Sequence, residues 1–196
     1  MNNFDYKNLE FYMKALNSQL KIINKRIELV VCGGSALAAI GLVNRTTNDV
    51  DVLGIVKRSD SKLIINRASF PNWFKSAIEK VARDFNLPPN WINAGPTSLV
   101  VFGLPRGLEE RLIGKRFGDY LTVHYISRID QIFLKLYASV DRGGYHIDDL
   151  MKLKPTNEEI EAAARWSMTH DVSEAYRELL KSLLRRLGFN EVAKRI

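Results

Sequence analysis

At 196 residues, 46% hydrophobic and 26% charged, the composition is that of a soluble globular domain with or without a helical extension, and excludes a disordered or membrane-embedded chain. The lone Cys32 excludes an intrachain disulfide and a cysteine zinc centre, which fits a reducing cytoplasm; no basic start with an apolar h-region and no apolar run of membrane-spanning length occurs. A formal net charge of +7 suits a polyanionic partner such as a nucleotide or RNA, and equally a plain solubilising surface.

The first predicted element is a helix over 2–25, in which Leu9, Met13, Leu16, Leu20 and Ile23 form an apolar stripe fit to cover one face of a sheet. A strand begins near Ile27, and its apolar run Leu29, Val30, Val31 stops at Gly33-Gly34-Ser35. A short helix over 36–42 and a polar connector over 44–48 lead to a second strand opening on Asp49-Val50-Asp51-Val52. The polar stretch 57–62 reads as a loop. Pro71 introduces a helix over 72–85 carried by Phe74, Ala77, Ile78, Val81 and Phe85, and Pro88-Pro89 ends it. A short strand over 98–102 is broken by Gly103, Pro105 and Gly107 before a short helix over 108–113. The stretch 120–126 alternates as a strand, with Leu121, Val123 and Tyr125 on one face.

From Arg128 the pattern is helical. Ser127 caps the first of these helices, and Gly143-Gly144 separates it from a short turn over 148–153. Thr156 and Glu159 form a capping box for a helix running to about His170. Ser173 caps the last helix, with Ala175, Leu179, Leu183 and Leu187 as its stripe and Gly188 as its stop. The expected fold is α/β (α+β): a small mixed sheet backed by helices over 1–126, then a helical part over 127–196.

Alternation along a strand puts Asp49 and Asp51 on one face and sends Val50 and Val52 into the core. Two adjacent carboxylates repel unless something positive lies between them, and a hard divalent cation takes carboxylate oxygens while keeping waters for a phosphate. Gly34 and Ser35 fall where a helix begins, so their backbone N–H groups can face an anion. A metal site beside a phosphate cradle points to phosphoryl or nucleotidyl transfer. Arg45 reads either as a phosphate partner or as a solvated loop residue, and Thr46 and Thr47 read as turn residues. Lys135, set among Phe133, Leu134, Leu136 and Tyr137, either snorkels or reaches into the site. His146 reads as a surface or helix-capping residue, Trp166 as packing between helices, and the basic C-terminal residues as a solvated surface.

Gly-Gly-Ser, thirteen residues, then Asp-x-Asp resembles the signature of the nucleotidyltransferase superfamily with the polymerase-β-type fold. More narrowly, Arg45-Thr46-Thr47-Asn48-Asp49-Val50-Asp51 is similar to the Arg-x-Thr-x-Asp-hydrophobic-Asp run of small bacterial members related to abortive-infection and toxin nucleotidyltransferases. The resemblance implies Mg2+ (or Mn2+) on Asp49 and Asp51. It implies that Gly33, Gly34, Ser35 and Arg45 hold the triphosphate of an NTP, and that Lys135 and Asp149 belong to the active site. Many members carry a third metal-binding carboxylate on a later strand. The stretch 120–126 has none, which leaves Asp119, Asp149 or a site of two carboxylates. The implied reaction moves a nucleoside monophosphate to an RNA 3′ end, a protein hydroxyl or a small molecule. The alternative is an inactive nucleotide- or RNA-binding protein, or a toxin–antitoxin partner, of the same fold.

Overall fold

In the computed structural model, which describes residues 6–43, 47, 49–59 and 62–196, the chain divides into two units, Met1–Ile126 and Ser127–Ile196. The first unit holds a mixed sheet whose described strands run β3-β2-β1-β6-β5. These are β1 (Ile27–Cys32), β2 (Val50–Ser59), β3 (Lys62–Arg67), β5 (Ile113–Arg116) and β6 (Leu121–Tyr125). The two-residue β4 (Ile92–Asn93) lies off this path. β1 is flanked by β2 antiparallel and β6 parallel. β3 covers Gly54–Ser59 along the outer edge of β2, and β4 pairs in parallel with the two residues where β2 begins, Val50 and Asp51.

Helix α1 (Tyr6–Ile22) and helix α3 (Asn72–Asp84) supply the core over one face of this sheet. Leu9, Met13, Leu16 and Leu20 are buried on Leu29, Val31, Val123 and Tyr125, as the stripe requires, whereas Ile23 lies past the helix end and is exposed. The register of β1 and β2 slips by one residue next to Val30. Leu29 pairs with Ile55, but Val31 pairs with Val52 and Cys32 with Asp51. This bulge keeps both Ile55 and Val52 on the core side despite their odd spacing, and turns Asp51 to the opposite face.

Several stretches fold differently from their sequence pattern. The polar stretch over 57–62 is not simply a loop, because β2 runs on to Ser59 and pairs back along β3. Lys57, Arg58, Ser59 and Lys62 are exposed strand residues, and polarity alone does not separate a solvated hairpin from a loop. The stretch 98–102 is not a strand. Gly95–Ser98 forms a 3-10 turn that continues into helix α4 (Leu99–Phe102). The helix predicted over 108–113 shrinks to a 3-10 turn at Glu109–Arg111, and Ile113 opens β5 instead. The short helix after β1, α2 (Gly33–Ala39), begins on the glycines themselves.

The second unit is helical: α5 (Arg128–Arg142), α6 (Tyr145–Lys152), α7 (Asn157–Ser167), α8 (Glu174–Arg186) and α9 (Asn190–Arg195). Ser127 and Ser173 cap as expected, and Thr156 and Glu159 close a full capping box. Arg128 pins the start of α5 to the turn before α7, donating to the Leu153 and Lys154 carbonyls and pairing with Glu159 at 2.6 Å. The buried stripe of α8 is Tyr176, Leu180, Leu183 and Leu184, so Ala175 and Leu179 face solvent instead. Trp166 packs edge-on to Tyr137 and beside Phe133, which is core packing between helices. Among the described residues no helix is long and apolar enough to cross a membrane.

Candidate functional site

Asp51 leaves β2 on the face opposite the helical core, and Asp49 directly precedes the strand. Both are half-buried, while Val50 and Val52 between and beyond them are fully buried. One side chain brings the two carboxylates together. The Asn93 amide nitrogen donates to Asp49 Oδ2 at 3.0 Å and to Asp51 Oδ1 at 3.2 Å. Trp91 and Ile92 are buried just ahead of it, and the Trp91 indole N–H donates to the Ile78 carbonyl, so β4 is anchored to α3 before it reaches the acids. Asn93 has little signature in the sequence. Its one local signal is a polar residue ending an apolar Trp-Ile pair, and its partners lie more than forty positions upstream.

The Gly-Gly-Ser turn closes over Asp51. Gly33 has φ +72, and a Cβ there would collide with Asp51 Oδ2, so this position needs glycine both for backbone and for space. Ser35 is buried at 1% exposure, and its hydroxyl has no hydrogen-bond partner among the described residues. Buried hydroxyls are normally paired, so this one asks for a ligand or ordered water. Thr47 donates its hydroxyl to the Asp49 carbonyl, a turn role as expected. Arg45 lies outside the described residues.

The acids suit a hard cation. They offer carboxylate oxygens and no soft ligand, and among the described residues no group of three or more His, Cys, Asp and Glu gathers anywhere. Mg2+ tolerates such a sparse protein shell because it keeps waters and takes phosphate oxygens. Asp119 does not join the pair. It is exposed, bonded to Arg116 at 3.1 Å, and it precedes β6 at the end where Ile27 pairs with Leu121. Asp51 pairs with Cys32, five residues further along β1, a separation on the order of 16 Å. Between these ends Glu28 accepts two bonds from Arg58 and meets His124 Nε2 at 2.7 Å. The Arg58 guanidinium first, and then His124, holds the Glu28 carboxyl below its ordinary range.

In the helical unit, Lys135 neither snorkels nor stands alone. Its ammonium is buried and donates to Asp149 Oδ2 at 2.7 Å, with the two side chains 5% and 1% exposed. The Tyr145 ring lies 5.5 Å from the ammonium, and His146 stacks on that ring at 4.1 Å. His146 is therefore buried rather than superficial. Gln131, one turn before Lys135, is fully buried, and its amide has no hydrogen-bond partner among the described residues. The basic C-terminal residues form surface pairs, Lys181 with Glu178, Lys194 with Glu191 and Arg195 with Glu161.

Comparison with curated proteins and with solved structures gives no match. A family model does match, over residues 7–153, which takes in every described site residue named above. The chain belongs to the family described as nucleotidyltransferase of unknown function (DUF6036).

Proposed function

We propose that the chain is a divalent-cation-dependent nucleotidyltransferase that moves a nucleoside monophosphate from an NTP to an acceptor hydroxyl. The observation that carries this reading is the pairing of Asp49 and Asp51 on a single amide beneath the Gly33 turn. When bound, Mg2+ or Mn2+ supplies neutralisation of the triphosphate and activation of the acceptor oxygen. Asp49 and Asp51 hold that cation. The Ser35 hydroxyl, and the backbone N–H groups of Gly34 and Ser35, hold phosphate oxygens. The family resemblance gives Lys135, which pairs with Asp149, a part in offsetting charge that develops during transfer. The acceptor is an RNA 3′ end, a protein hydroxyl or a small molecule; the net charge of +7 suits a polyanion such as RNA and a solubilising surface alike.

A second reading, a nucleotide or RNA binder without turnover, draws on one feature. The strand position level with Asp51 carries the neutral Asn93 in place of a third acid. Incubation with labelled NTPs, Mg2+ and total cell extract separates the two. Transfer of label to one fraction, abolished by EDTA and by Asp51→Asn, supports the enzyme. Mg2+-dependent NTP binding with no labelled product supports the binder.

A further inference from the structure

Two carboxylates drawn together in a half-buried site repel, and the Asn93 amide donates to both of them. Its orientation is fixed by a third contact. The Gly95 N–H donates to Asn93 Oδ1 at 2.8 Å, so the carbonyl end of the amide is committed to the backbone and the NH2 end must face the acids. An amide NH2 has two hydrogens, and here one aspartate oxygen accepts at 3.0 Å and the other at 3.2 Å. The two bonded oxygens therefore stand no more than about 6 Å apart, with each carboxylate rotated toward the other.

The position is built from strand pairing rather than from a loop. Asn93 is level with Asp51 across the parallel β2–β4 ladder, and Trp91 and Ile92 lock that ladder to the core. An acid at this position would add a third negative charge, and an apolar residue would leave both carboxylates without the shared donor.

We propose that Asn93 is a positioning residue for the divalent cation: its amide holds Asp49 and Asp51 in cation-ready rotamers and offsets their repulsion before the cation arrives. This rests on the cation reading of the acids given above. The neutral amide sets affinity at an intermediate level, since it organises the ligands without adding a charge for the cation to meet.

The test is Mn2+ binding to the full chain in the absence of nucleotide, read by loss of the free Mn2+ paramagnetic signal, together with melting temperature without metal. Wild type is compared with Asn93→Ala, Asn93→Asp and Asp51→Asn. Asn93→Ala is expected to weaken Mn2+ binding about 10-fold or more, the usual effect of losing a group that orients metal ligands. Asn93→Asp keeps the oxygen that accepts from Gly95, but turns an offsetting donor into a third anion. It is expected to bind Mn2+ more tightly than wild type and to melt lower without metal. A residue that serves only the Gly95 turn would move neither affinity, and wild-type Mn2+ affinity in Asn93→Ala overturns the inference. So does a fall in affinity in Asn93→Asp, which carries the test alone if Asn93→Ala does not fold. If wild type and Asp51→Asn take up Mn2+ alike, the cation reading of the acids fails, and this inference falls with it.

Discussion

Lys135→Met breaks a buried ion pair, and the cost can be worked from the geometry. The lysine stem is nearly isosteric with methionine, so packing changes little. What changes is that Asp149, 1% exposed, loses the ammonium 2.7 Å from its Oδ2. Breaking a buried pair in this way typically costs about 3–5 kcal/mol, against ~1 kcal/mol or less for an exposed one. For a chain of this length that corresponds to a fall in melting temperature of roughly 6–20 °C. Lys135→Met combined with Asp149→Leu removes both charges and should recover to within ~1 kcal/mol of wild type or exceed it, because the desolvation cost of the pair disappears with it. Urea denaturation of wild type, the two single variants and the double variant, followed by circular dichroism, gives the coupling directly. The sequence alone, with Lys135 facing an external anion, would have Lys135→Met as stable as wild type. A cost below ~1 kcal/mol would restore that view and refute the buried-pair argument. The double variant also isolates function: folded, it should lose on the order of 100-fold or more in transfer if Lys135 offsets charge during the reaction.

Gly33→Ala combines a left-handed backbone angle with a collision against Asp51 Oδ2, so it should cost about 1 kcal/mol or more in stability and also weaken Mn2+ binding, both measurable on the purified chain. Glu10 accepts from Lys115 and pairs with Lys14, and these lysines, Lys115 first, lower its carboxyl from 4.5 to about 2. A depressed carboxyl stabilises the fold above its unfolded value, and the contribution is lost as pH falls from about 4.5 toward 2. Glu10→Gln should therefore flatten the difference between urea midpoints at pH 5 and pH 2.5, and an unchanged difference would remove Glu10 from acid stability. If the acceptor is RNA, binding of total RNA should weaken steeply with salt, with a log–log slope that counts phosphates; salt-insensitive binding points to another acceptor.

What the sequence disclosed was local, and what it hid depended on distant pairing. Gly33, Asp49 and Asp51 lie within one strand–helix–strand passage, so the approach of Gly33 to Asp51 is a local one. The helix caps at Ser127, Thr156 and Ser173 are equally local, each closed within three residues. Asn93 was invisible because its role arises only when β4 docks beside Asp51, and β4 is two residues long. The apolar run 98–102 looked like a strand, but Gly95 and Pro96 start a helical turn. The outer edge of β2 is also already taken by β3 and β4. The partner of Lys135 lies fourteen positions away on the next helix, beyond the reach of any periodicity argument. On α8, the adjacent leucines at 179–180 and 183–184 fit two neighbouring stripes, and only packing chose Leu180 and Leu184.

The claim on which the account stands is that the paired aspartates support transfer of the nucleotide moiety rather than of a terminal phosphate. Parallel incubations with α-labelled and γ-labelled NTP, each with Mg2+ and total cell extract, read this from the position of the label. The account predicts that the α label enters the acceptor while the γ label leaves as pyrophosphate, and that Asp49→Asn and Asp51→Asn abolish both while remaining folded. Transfer of the γ label to the acceptor, or α transfer undiminished in either variant, would contradict it.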